Sequence, residues 1–238
     1  FTNIHPASTL AHCNSIGFDN AGNCVVMGPA GSILEGPTTG TLTRRVGVLS
    51  PSTIRGYVAY DSVHSKWFVY YETGGNGFTL QSTDRITWSG NAWPINLYVG
   101  CVACLSPTGT FIVISPDIPY TSAQTIRTAD GGASFTSSYN CLPSPVVTAG
   151  SLLFSNLLYD TITGNWFVTT WAGTVSKLYR STDDGVTWAV FIDLPTIAIK
   201  RIYSIGTLFL AYAQIAGYPS GVGAWIYAEN VGNDPAVE

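Results

Sequence analysis

Two arginines and three carboxylates are the residues of this chain whose types and spacing could do chemistry. Arg55 and Arg201 each stand just before a run of strand formers, in a sequence with only seven arginines and three lysines. Two guanidinium groups converging there would hold a carboxylate or sulfate through paired N–H donors; the plainer alternative pairs each with a nearby carboxylate or carbonyl. Glu72, in Glu72-Thr73-Gly74-Gly75-Asn76-Gly77, and Asp117, in Pro116-Asp117-Ile118-Pro119-Tyr120, are the acid and base candidates for splitting a glycosidic bond, with Asp193 a third. The separation of such a pair decides the stereochemical course. Aromatic side chains accompany them: Tyr57, Trp93 in Gly90-Asn91-Ala92-Trp93-Pro94, Tyr120, Trp171 and Tyr218. Rings beside Asn and Asp would make a stacking platform for a sugar. In the alternative, Trp93 and Trp171 only cover the end of a sheet.

These residues need a scaffold, and the chain repeats one. Val58-Ala59-Tyr60-Asp61, a turn, and Trp67-Phe68-Val69-Tyr70 align with Leu157-Leu158-Tyr159-Asp160, a turn, and Trp166-Phe167-Val168-Thr169. Two β-rich runs around a Gly, Asn or Ser turn predict a hairpin. The same hairpin is expected at Ile16–Asp19 with Cys24–Met27, Val102–Leu105 with Phe111–Ile114, and Ile202–Ile205 with Leu208–Ala211. Between the equivalent positions Phe18, Tyr60, Cys104, Tyr159 and Ser204 the steps are 42, 44, 55 and 45 residues, the length of a four-stranded antiparallel unit.

A second motif follows each hairpin. Ser82-Thr83-Asp84-Arg85-Ile86-Thr87-Trp88, Thr128-Ala129-Asp130-Gly131-Gly132-Ala133-Ser134-Phe135 and Ser181-Thr182-Asp183-Asp184-Gly185-Val186-Thr187-Trp188 share Ser/Thr, Asp and an aromatic, their Asp positions 46 and 53 residues apart. An Asp can accept from the exposed N–H groups of a tight turn, Gly132 and Gly185 allow positive φ where the chain reverses, and Trp88, Phe135 and Trp188 direct a ring into the packing. The first copy is a residue shorter and lacks the Gly, so its turn is expected to be distorted. The third copy fits Ser-x-Asp-x-Gly-x-Thr-Trp throughout and resembles the Asp-box (BNR) hairpin repeat of β-propellers. In that role Asp84, Asp130 and Asp183 are structural.

The resemblance implies an all-β, five-bladed propeller of four-stranded antiparallel blades at about 14–50, 56–92, 100–143, 155–195 and 200–238, forming a single domain. Phe1–Pro6 resembles the strands that follow the Asp motifs and would complete the last blade, removing the sheet edges. The alternative is six blades, or part of a longer propeller, and Phe1 is not a translation start, so an upstream leader or domain fits the reading. Propellers of this kind imply ligands on the face opposite the Asp motifs, where crossovers and second-to-third-strand loops would carry Arg55, Tyr57, Glu72, Trp93, Asp117, Tyr120, Trp171, Arg201 and Tyr218. Sialidases and other glycosidases share the repeat, and that resemblance implies an Arg triad, a Tyr/Glu nucleophile pair and an Asp acid/base. The sequence departs from it, with no Arg-Ile-Pro near its start and only Arg55 and Arg201 in plausible triad positions.

Composition narrows the remaining classes. Only 10% of residues are charged and 46% are hydrophobic, with a net charge of −4, well under the roughly 25% charged residues usual in soluble domains. The surface is therefore expected to be Ser, Thr, Asn, Gly and Tyr, suited to sugars or to a packed assembly. No basic run invites nucleic acid and no apolar run reaches bilayer length. His5, His12 and His64 lack metal-ligand spacing, and neither a phosphate loop nor a Gly-x-Ser-x-Gly occurs, so no metal or cofactor is expected. Five cysteines, Cys13, Cys24, Cys101, Cys104 and Cys141, and no Asn-x-Ser/Thr sequon fit buried thiols folded in a reducing cytoplasm. The combined expectation is a non-catalytic recognition or structural module, virion (phage tail) or extracellular in location, with a glycan or a neighbouring subunit as partner. An Asp-box glycoside hydrolase is the alternative.

Overall fold

The computed structural model describes residues 15–28, 32–45, 55–73, 76–92, 101–116, 122–143, 153–172, 175–194, 197–205, 208–215 and 223–229. All regular structure among them is antiparallel strand, in five sheets that follow one another along the chain. The first holds β1 (Ser15–Phe18), β2 (Asn23–Met27), β3 (Ile33–Pro37) and β4 (Thr43–Arg45), and the second β5 (Arg55–Asp61), β6 (Lys66–Thr73), β7 (Asn76–Ser82) and β8 (Ser89–Ala92). The third holds β9 (Val102–Leu105), β10 (Phe111–Pro116), β11 (Ala123–Thr128) and β12 (Thr136–Tyr139), and the fourth β13 (Leu153–Asp160), β14 (Asn165–Ala172), β15 (Val175–Ser181) and β16 (Ala189–Leu194). The fifth contains β17 (Ile197–Ile205), β18 (Leu208–Ile215) and β19 (Gly223–Glu229). Strands pair in sequence order within each sheet.

Burial explains the sequence pattern. The second strand of a sheet is covered on both faces, so β6 and β10 are apolar almost without interruption and buried nearly end to end. The fourth strand is an edge, and β12, Thr-Ser-Ser-Tyr, is exposed at every position. Short polar edges of this kind resist pairing with other chains.

The chain contacts group into two compact units. Phe1–Val99 with Pro107–Phe111 and Thr128–Ser134 form one, and Gly100–Ser106, Ile112–Arg127 and Phe135–Glu238 the other. The first unit is cored by Val25, Met27, Ile33, Val58, Trp67 and Val69. Gly17 brings β1 against Val58, and the Ser15 hydroxyl accepts from Val58 N at 3.0 Å. In the second unit Ile112, Ile114, Phe154, Leu157, Trp166 and Tyr179 make one core cluster, and Phe167, Leu178, Ile199 and Ile202 make another beneath β17. Trp67, Trp166 and Trp188 are buried as their recurrence predicts, and Trp88 is half-buried.

Hairpin turns between first and second strands open on an Asp that the sequence pattern placed only as a strand end. Asp19 accepts from Ala21 N and Asn23 N at 2.9 and 2.7 Å, Asp61 from Val63 N and His64 N at 2.9 and 3.1 Å. Asp160 accepts from Thr163 Oγ1 at 2.5 Å. Each carboxylate satisfies donors that the reversing chain would otherwise leave open.

Three positional expectations need correction. Arg55 and Tyr57 belong to β5 itself rather than to the preceding crossover, and Glu72 and Trp171 belong to β6 and β14 rather than to loops. The cause is the tightness of the second hairpins: Thr73 pairs with Asn76 and Ala172 with Val175, so the strands run to the very end. The inner strands β13 and β17 also begin before the expected 155 and 200, and each carries an irregularity that adds a residue, between Phe154 and Asn156 and between Ile199 and Arg201. Phe1–Pro6 and Cys13 lie outside the described residues; Cys24 is buried, Cys101, Cys104 and Cys141 are half-buried, and these four form no disulfide with one another. Burial pushes the Cys141 thiol up to about 12, which leaves it inert as a nucleophile.

Candidate functional site

The acidic side chains divide between two ends of the sheets, and the Asp turns occupy one. Asp183 Oδ1 accepts from Thr187 N and Ser181 Oγ, both at 2.8 Å, and Oδ2 from Thr187 Oγ1 at 2.5 Å. Ser181 Oγ in turn accepts from Gly185 N at 2.9 Å, and Trp188 Nε1 donates to Gly185 O at 3.2 Å. Asp130 repeats the scheme with Ser134 N at 3.0 Å, Ser134 Oγ at 2.5 Å and Thr128 Oγ1 at 2.7 Å. Phe135 stands where an indole donor would be, so that link is lost.

The first turn shows what its missing residue does. Asp84 Oδ1 accepts from Thr87 N at 2.7 Å and Ile86 N at 2.8 Å, three and two residues on, where Asp130 and Asp183 reach four residues. Arg85 adopts a φ of 67° in the absence of glycine, yet Trp88 Nε1 still finds Arg85 O at 2.9 Å.

These bonds hold the carboxylates ionised. Backbone N–H groups of Thr87 and Ile86 bring Asp84 down to about 2. For Asp130 the Ser134 hydroxyl, then its N–H and the Thr128 hydroxyl, lower the carboxyl strongly. Burial raises Asp183, but its bonds from Thr187 and Ser181 outweigh that and leave it lowered. All this acceptor capacity is spent on the turn itself, which makes these carboxylates fasteners rather than ligands.

The turns also take donors from outside. In the first unit Gln81 Nε2 donates to Gly132 O at 3.1 Å and Lys66 Nζ to Gly131 O at 3.0 Å. The His64 ring lies against Gly109 and Gly131, and Nδ1 is 2.6 Å from Asp61 Oδ2. In the second unit Arg127 donates to the Asp184 carbonyl and carboxylate. Gln81 and Arg127 each immediately precede the Ser or Thr of their own turn, a regularity visible in the sequence but carrying no signal there without a partner.

The opposite end holds the other candidates. Arg55 pairs with Glu72 across β5 and β6. Glu72 is 3% exposed and accepts from Tyr70 Oη at 3.0 Å, with Tyr70 itself 2% exposed. Both groups are enclosed away from the surface. Tyr57 is half-buried, its ring stacked on Phe111 with centroids 6.2 Å apart, so it is packing rather than platform. Asp193 faces Lys177 in register, its Oδ2 3.4 Å from Nζ. Trp171 is half-buried between Leu153 and Ser176, at the register position that Glu72 holds in the second sheet. Asp117, Trp93, Tyr120 and Tyr218 lie outside the described residues.

Arg201 is exposed on β17. It pairs with Tyr212, three positions past Phe209, which faces Ser204; Tyr57 pairs with Tyr70, three positions past Trp67, which faces Tyr60. Arg201 stands three residues before Ser204 as Tyr57 stands three before Tyr60, with regular pairing between, so it matches Tyr57 and the expected equivalence of Arg55 and Arg201 fails. Its neighbour Tyr203, expected beside it at the end of the same crossover, lies within β17 as well and is 42% exposed. Among the described residues no group of three His, Cys, Asp or Glu could hold a metal ion, and no helix is long and apolar enough to cross a membrane.

No protein-family model and no curated protein matches the chain. Solved structures do. The GH74 xyloglucanase of Xanthomonas campestris is similar over 92% of the chain at 16% identity and a TM-score of 0.66, and virginiamycin B lyase of Staphylococcus aureus over 93% at 12% and 0.60. YCF48 of Cyanidioschyzon merolae is similar over 93% at 16% and 0.57. The chain spans 36% of the xyloglucanase, 72% of the lyase and 73% of YCF48. These neighbours are β-propellers, and the chain has the β-propeller fold. They include enzymes and non-catalytic proteins, so the likeness carries no activity with it.

Proposed function

We propose that this propeller is a non-catalytic recognition or structural module, exposed on a virion or a cell surface, with a glycan or a neighbouring subunit as its partner. The observation that carries the reading is the employment of the carboxylates whose side chains are described. Asp19, Asp61, Asp84, Asp130, Asp160 and Asp183 fasten turns, Asp184 and Asp193 pair with Arg127 and Lys177, Glu35 pairs with Arg45, and Glu72 is enclosed with Tyr70. Glycoside hydrolysis by two carboxylates needs both at the substrate, and these ten have other work.

A low charge density and the Ser/Thr-rich edge strand β12 support neutral, hydrated contacts of the kind sugars and packed subunits make. The Ser/Thr-x-Asp turns, read as Asp boxes, then serve the scaffold.

The test is a glycan array that includes sialylated and bacterial surface polysaccharides, with bound sugars checked for cleavage by mass spectrometry. Binding with intact sugar is the expected result. Release of shorter products would overturn the non-catalytic reading and bring Glu72 and Asp117 forward, and no binding to any sugar would leave a protein subunit as the partner.

A further inference from the structure

Resting on that recognition reading, we propose that β17 carries a site for an acidic sugar, with Arg201 holding its carboxylate or sulfate and Tyr203 meeting the ring. Most cations whose side chains are described are already engaged. Arg45 pairs with Glu35, Arg127 with Asp184 and Lys177 with Asp193, while Lys66 donates to Gly131 O and Arg180 lies 5.0 Å from the Phe191 ring centroid. Among the described residues no carboxylate lies within ion-pair distance of Arg201, and its side chain is exposed. Arg44 on β4 is likewise exposed without an ion pair among the described residues, and what distinguishes Arg201 is the exposed ring of Tyr203 two residues on.

The strand positions the pair. Ile202, between them, is 1% exposed and packs into the cluster beneath, so Arg201 and Tyr203 project together on the other side. Their Cα atoms are spaced by roughly 6–7 Å, two residues of extended chain, a span that lets one pyranose present its anionic group to the guanidinium and its C–H face to the phenol ring. The irregularity between Ile199 and Arg201 lets Ile199 and Ile202, three residues apart, both join the buried cluster where strict alternation would put them on opposite faces. Asn156, at the same register in β13, is used differently: its Nδ2 donates to Ile202 O at 2.8 Å and braces β17.

The experiment titrates the whole chain with three fluorescent probes: a heparin oligosaccharide for sulfate, an oligogalacturonate for carboxylate, and a neutral xyloglucan oligosaccharide. The proposal expects one or both acidic probes to bind, more weakly as salt rises, and Arg201→Ala to lose at least roughly tenfold in affinity, with unchanged melting. Arg201→Lys should recover part of it, since a point charge replaces a planar fork, and Tyr203→Ala should weaken acidic binding without changing its salt dependence. Equal acidic binding by parent and Arg201→Ala would overturn the site. Binding of the neutral probe alone would also overturn it while leaving glycan recognition standing, and silence on all three would overturn the site while the glycan array decides the wider reading.

Discussion

Arg127 Nη2 donates to Asp184 Oδ2 at 2.5 Å while its Nε donates to the Asp184 carbonyl at 2.8 Å, so a strand residue of the third sheet clamps the Asp turn of the fourth. The clamp is two-point and charge-assisted, which fixes orientation as well as distance. Asp184 Oδ1 also accepts from Trp166 Nε1 at 3.0 Å, tying the same carboxylate to a fully buried ring.

Removing the guanidinium should therefore loosen the packing of the second unit. Arg127→Ala is expected to cost about 2 kcal/mol, in the range of hydrogen bonds to charged groups, lowering the Tm by roughly 4–8 °C for a chain of this size. Arg127→Lys should recover less than half, since it cannot reach both acceptors. An unchanged melt for Arg127→Ala would show the clamp to be idle.

Acid should weaken the fold over a defined window. Asp84 is lowered to about 2, and Asp130 and Asp183 are lowered as well. A carboxyl that is more acidic folded than unfolded stabilises above its unfolded value near 4 and loses that contribution as pH falls towards its folded value. Thermal melts between pH 5 and 2 should fall most steeply from about pH 4 to about 2. Asp183→Asn should flatten that slope, and an equal slope in parent and variant would assign the acid sensitivity elsewhere.

Glycine replacements should separate strain from crowding. Gly22 and Gly185 have φ of 78° and 83°, but a Cβ on Gly22 would meet only Thr38 Oγ1 at 3.9 Å, while one on Gly185 would overlap the Ile112 side chain. Gly22→Ala should cost about 1 kcal/mol and Gly185→Ala clearly more, read as the difference between two denaturation midpoints. The reverse order would mean that Ile112 yields freely.

The two tryptophans of β14 make a matched pair. Trp166→Ala, at a fully buried site, should cost about 3–5 kcal/mol. Trp171→Ala, half-buried at the strand end, should cost less than half as much. Comparable losses would place Trp171 in the core.

How the chain divides between local and long-range information can be read from particular residues. Trp67 and Trp166, Tyr60 and Tyr159, and the Ser/Thr-x-Asp turns declared the hairpins and their repeat, because a turn's donors and acceptors are neighbours in sequence and a strand covered on both faces shows as a short apolar run. The shortened turn at Asp84 was legible for the same reason. The setting of Arg201 was not: its exposure beside a buried Ile202 depends on what packs beneath β17. Glu72 was read as a loop carboxylate since Gly74 and Gly75 follow it, yet its burial against Tyr70 is set by how strands stack. Gln81 and Arg127 look like ordinary polar strand residues until folding brings a carbonyl 51 or 57 positions away within reach. The sequence by itself determined the repeat, the hairpins and the turn chemistry, all short-range. Tertiary structure alone decided which polar groups are enclosed, clamped or left open, because that depends on which distant segments share a face.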